Sequence, residues 1–97
     1  MRILDQDFKL KYGLRAMFMF EQITERPFKI ETMLDEYILL YSCLISVKDN
    51  PSLDFNEFID YCDEHPELLT EFNEYMQKEA SERELLGKKK VKIQEKN

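Results

Sequence analysis

Nine residues in the middle of the chain, YILLYSCLI at 37–45, include one polar side chain, Ser42. A helix this apolar on every side fits a water-exposed fold only at the centre of a bundle. Thr32 stands where an N-cap would, with Asp35 three residues on, and Asp35 and Glu36 suit the positive end of the helix dipole. Before it, LRAMFMFEQIT from Leu14 predicts another helix, with Leu14, Met17, Phe18 and Glu21 on one stripe and Ala16, Phe20 and Ile23 widening the apolar side. That helix must end by Arg26, because a residue preceding proline is pushed out of helical dihedrals.

Asn50-Pro51 marks a turn. From Asp54 a third helix places Phe55, Phe58, Ile59 and Cys62 at i, i+3, i+4 and i+7, and closes with Asp63, Glu64 and His65. Pro66 opens a fourth, at a position where its missing N–H costs nothing, with Leu68, Leu69, Phe72, Tyr75 and Met76 on the buried face. Residues 7–12 alternate polar and apolar, with Phe8, Leu10 and Tyr12 on one side, which predicts a short strand. Phe28 and Ile30 would supply its partner. The expected fold is mainly α: a single-domain bundle of about four helices over residues 1–87, with a short two-stranded β ribbon near the N-terminus. A basic, disordered tail follows at 88–97.

Composition agrees with this reading. Ninety-seven residues suffice for one core, and 43% hydrophobic residues are too many for a disordered chain. Two glycines and three prolines leave little punctuation for a β sandwich. No apolar run approaches the roughly 20 residues that cross a membrane. Cys43 and Cys62 fall at apolar helix positions, which reads as two buried thiols in a reducing cytoplasm rather than a disulfide.

Charge is uneven. Between residues 49 and 84 there are 12 Asp and Glu against Lys78 and Arg83, a balance of −10, whereas the last ten residues carry +4. Such a face repels nucleic acid and attracts basic partners. An acidic binding module that mimics nucleic acid and engages a basic host protein is therefore a second reading.

The stretch SLDFNEFIDYCDEHPEL resembles the second half of an EF-hand loop. With Glu57 at loop position 12, however, Lys48 falls at position 3 and Pro51 at position 6, where a calcium ligand and a glycine are needed. Asp54 capping its helix, with Glu57 reaching back to the cap N–H, accounts for the same residues. His65 is the sole histidine, and Gly13 and Gly87 stand alone, so neither a zinc set, a Cys/His nucleophile nor a phosphate loop is expected. The chain reads as a non-enzyme without cofactor or metal.

The order KYGLRAMFMFEQITERPF, LDEYILLYSCLISV, LDFNEFIDYCDEHPELLTEF, over residues 9 to about 77, resembles the small tail assembly chaperones of long-tailed bacteriophages and prophages. One departure is Glu25, which stands where that family commonly has the Gly that permits a left-handed helix end. The resemblance implies a small, mostly helical protein of the bacterial host cytoplasm. Such a protein coats the tape measure protein until tail tube protein polymerises around it, and the tube protein and self-association remain open as further contacts. It also implies that a longer, frameshifted form is often made, and GKKKVK at 87–92 is compatible with a slippery lysine-codon run. A chaperone of this kind needs an apolar groove and a charged outer face. The candidate groove residues are Met17, Met19, Phe20, Tyr37, Tyr41, Phe72, Tyr75 and Met76; methionines suit a surface that accepts many sequences.

Overall fold

The computed structural model describes residues 1–96, with side chains through residue 82. In chain order it contains β1 (Arg2–Ile3), β2 (Gln6–Asp7), α1 (Leu14–Thr24), α2 (Met33–Ile45), α3 (Phe55–Glu64) and α4 (Glu67–Lys96). The chain is therefore the expected four-helix, mainly α fold with a short N-terminal ribbon. The basic tail expected from residue 88, and the frayed helix end expected near Gly87, lie outside the described side chains.

The apolar stretch at 37–45 takes the central place its composition demands. Helix α2 contacts α1, α3 and α4 in turn, and buries Ile38, Leu39, Leu40, Cys43 and Leu44. Ser42 is fully buried as well, and its hydroxyl donates to the Ile38 carbonyl one turn back at 2.7 Å. That bond removes the cost of placing a polar atom in the core. No helix among the described residues is long and apolar enough to cross a membrane.

Two corrections concern α1 and the ribbon. The buried side of α1 is Ala16 and Phe20, while Leu14 and Phe18, assigned to its main stripe, are exposed. The helix is apolar on several sides, so periodicity does not select a face; α1 packs on α2 through the row that holds its small residue, Ala16. The ribbon, in turn, is not residues 7–12 against Phe28 and Ile30. It pairs Arg2 with Asp7 and Ile3 with Gln6 across a two-residue turn. Closing so short a loop costs far less entropy than joining segments some twenty residues apart. Leu4 and Asp5 form the turn, both with positive φ, the arrangement of a type I′ hairpin.

Residues 8–12 nevertheless keep their alternation: Phe8 is buried, Leu10 and Tyr12 are half-buried, and Lys9 and Lys11 are exposed. Their backbone is held by other means. Asn50 accepts from Lys9 N–H at 2.9 Å and donates to the carbonyls of Lys9 and Leu44, both at 2.8 Å. Lys11 N–H donates to the Cys43 carbonyl at 3.3 Å, and Tyr12 N–H to the Tyr75 hydroxyl at 3.0 Å. A side-chain amide thus does for this segment what a neighbouring strand would do.

The α1–α2 connection is locked from both ends. Glu21 accepts from Phe28 N–H at 2.8 Å. Asp35, 1% exposed, accepts from the N–H groups of Glu31 at 2.9 Å and Thr32 at 3.1 Å, and pairs with the Arg26 guanidinium. Its own N–H returns to the Thr32 hydroxyl at 3.1 Å, which completes the capping box.

Helix α1 ends in the left-handed conformation without a glycine. Glu25 has φ 57° and ψ 34°, and its N–H bonds the Glu21 carbonyl at 2.8 Å. An L-residue in this region costs roughly 1–2 kcal/mol, partly recovered by its lower entropy when unfolded. Glu25→Gly is therefore expected to raise stability by about 0.5–1 kcal/mol. The check is a higher denaturant midpoint at unchanged slope; an unchanged or lower midpoint refutes it.

Candidate functional site

Among the residues that carry chemistry, most are occupied locally. The Asp54 carboxylate accepts from Glu57 N–H at 3.1 Å, so the EF-hand-like stretch serves as a helix cap. His65 Nδ1 lies 2.9 Å from the Glu67 carboxylate, and its ring stacks on Tyr61 with centroids 4.1 Å apart. No group of three or more His, Cys, Asp or Glu side chains is arranged to hold a metal ion among the described residues. Both cysteines are free and buried. Burial pushes the Cys43 thiol up to about 12 and the Cys62 thiol up to about 11. Since the thiolate is the reactive form, native Cys62 is expected to react with a thiol reagent at neutral pH about two orders of magnitude more slowly than in the unfolded chain, and Cys43 more slowly still. Comparable labelling rates with and without denaturant would refute this.

The groove residues read from the sequence divide into two sets. Phe20 and Phe72 are core side chains. Met17, Met19, Tyr37, Tyr41, Tyr75 and Met76 are half-buried. Tyr41 bonds the Leu53 carbonyl at 2.6 Å and packs edge-on against Phe55, with centroids 5.1 Å apart, so its hydroxyl joins α2 to the loop before α3. Tyr75 ties α4 to Tyr12 through its hydroxyl. These two tyrosines are anchors between elements, and of the predicted set only Tyr37 lines one of the surface depressions described here.

The largest apolar exposures lie elsewhere. Leu14, Phe18 and Ile23 on α1, Ile30 in the connection, and Met33 and Leu34 in the first turn of α2 all face solvent, with Phe18 at 56% and Met33 at 72%. Leu14 and Phe18 stand one turn apart on α1, so they occupy neighbouring surface.

Two depressions flank α3. The first, about 280 Å³, is lined by Met33 and Tyr37 from α2, Ile59, Cys62 and Asp63 from α3, and Pro66 at the α3–α4 corner. The second, about 240 Å³ and more open, is lined by Leu4, Glu57, Asp60, Tyr61 and Glu64. Helical geometry explains the division. Phe55, Phe58 and Cys62 point α3 into the core, which leaves Ile59 and Asp63 on one flank and Glu57, Tyr61 and Glu64 on the other, with Asp60 on the crest between. Helix α3 carries four carboxylates and no basic residue. Sequence reading passed over Met33, Ile59, Asp63 and Pro66 because they come from three elements that periodicity treats one at a time.

No protein-family model matches the chain, and no curated protein or solved structure shows significant similarity to it.

Proposed function

We propose that this chain is a non-catalytic tail assembly chaperone that shields apolar helices of a tape measure protein in the host cytoplasm until the tail tube assembles. The observation that carries the reading is the number of large apolar side chains left in solvent, Leu14, Phe18, Met33 and Leu34 above all, on a body whose core is already filled by other residues. Exposed apolar surface of this kind marks interaction sites on small soluble folds. The segment order over residues 9–77 supplies the partner class. A long helical partner with apolar stripes would aggregate when unshielded, and the chain's net charge of −6 favours solubility of the complex.

The test is the soluble fraction of the tape measure protein from the same genome, expressed with and without this chain. Rescue, with co-purification that persists in about 0.5 M salt, supports shielding through apolar contact. An insoluble tape measure protein that never co-purifies sinks the reading. The acidic crest of α3 favours one alternative, a module that binds a basic host protein, whose complexes would dissociate in that salt.

A further inference from the structure

Helix α3 offers more than an exposed surface: an apolar cleft with a carboxylate, Asp63, at its rim. We infer that the cleft between α2 and α3 is the docking site, and that it takes an amphipathic helix whose apolar stripe is flanked by lysine or arginine. The inference rests on the shielding role and specifies where it acts and on what chemistry.

Three observations select this occupant. The cleft, about 280 Å³, lies at the small end of ligand pockets, so it suits one large side chain of a partner better than a whole small molecule. Its wall includes Met33, whose exposed, flexible side chain adapts to different anchors. Its rim carries Asp63, Asp60 stands on the adjoining crest, and Glu57, Asp60 and Glu64 line the depression on the far flank. An apolar anchor in the cleft would leave the next residues of its helix over these carboxylates, where basic side chains are favoured and acidic ones repelled. A helix suits the site better than a strand, because the only ribbon among the described residues has strands of two residues, too short to template strand addition.

The probes are two synthetic helical peptides with the same leucine stripe, one flanked by lysines and one by glutamates, measured by fluorescence anisotropy against the full chain. The lysine peptide is expected to bind at least about tenfold more tightly. D63K, at an exposed position, should erase that preference without unfolding the chain, and M33A should weaken both peptides. Equal affinity for the two peptides overturns the inference and leaves shielding standing. So does loss of binding through F18D while D63K is silent, which would move the site to α1. Polylysine binding as tightly as the lysine peptide overturns the apolar anchor and supports the acidic-module alternative. If neither peptide binds, both the cleft and the shielding role fail.

Discussion

Phe20→Ala is expected to destabilise the protein by about 3–5 kcal/mol, the range for emptying a fully buried phenylalanine site. The side chain is 0% exposed. It meets Phe28 edge-on at a centroid distance of 5.2 Å, and the Arg26 guanidinium lies 5.7 Å above its ring. Alanine there opens a void, breaks an aromatic pair and removes the support beneath the α1–α2 connection. A domain of this size has only about 5–15 kcal/mol of stability in all, so the variant would be near its folding threshold at physiological temperature. Phe18, two residues away and largely in solvent, is the natural comparison: Phe18→Ala should change stability by less than about 0.5 kcal/mol. Urea unfolding of the two variants decides the matter. If F20A unfolds at the wild-type midpoint, Phe20 is not the core residue described here.

The second large effect is expected at Asp35. Asp35→Asn should lower the melting temperature more than Thr32→Ala, which removes one cap hydrogen bond and costs about 1 kcal/mol. The asparagine amide would direct N–H groups at partners that are themselves donors: Arg26 and the N–H groups of Glu31 and Thr32. The dependence on pH follows from the same contacts. The Glu31 N–H, with Arg26 and the Thr32 N–H, holds the Asp35 carboxyl below its ordinary value, although burial opposes this. A carboxyl depressed in the folded state stabilises fully above its unfolded pKa, and this contribution is lost as pH falls through the folded pKa. Wild type and D35N should therefore differ at neutral pH and converge in acid. A gap that stays constant from neutral to strongly acidic pH would show that the ionised carboxylate contributes nothing.

These two residues also show what the sequence conveys and what it withholds. The boundaries of α1 to α3 and the start of α4 were legible because discrete chemistry sets them: Pro27, Pro51 and Pro66 block continuation, and Thr32 and Asp54 cap. The centrality of α2 followed from its composition. The face of α1 did not follow, because leucine, methionine and phenylalanine lie on several of its sides, and only contact with α2 separates buried Phe20 from exposed Phe18. Asp35 read as the capping-box partner of Thr32 and a first-turn acid, which the structure keeps, but nothing local signals its pairing with Arg26 or its bond from Glu31 N–H. Residues 7–12 read as a strand by alternation, and the structure keeps the alternation from Phe8 to Tyr12, but the partner is Asn50, 41 positions along from Lys9. Of the cleft, Tyr37 was legible as an aromatic residue in surplus of core needs. The rest of its lining exists only once α2, α3 and the Pro66 corner meet.

Among the described residues the backbone places three non-glycine residues of positive φ, Leu4, Asp5 and Glu25, at two corners, and no glycine there has positive φ. None of the three lines the α2–α3 cleft, although Leu4 lines the second depression and its neighbour Ile3 belongs to the core; Glu25 stands apart from both. Stability is thus adjustable at residue 25 without altering the cleft: glycine there would relax the backbone and leave the Met33, Ile59 and Asp63 surface untouched. A more stable form made this way would keep the cleft lining of the original chain, so any difference in its behaviour would trace to the backbone at the end of α1.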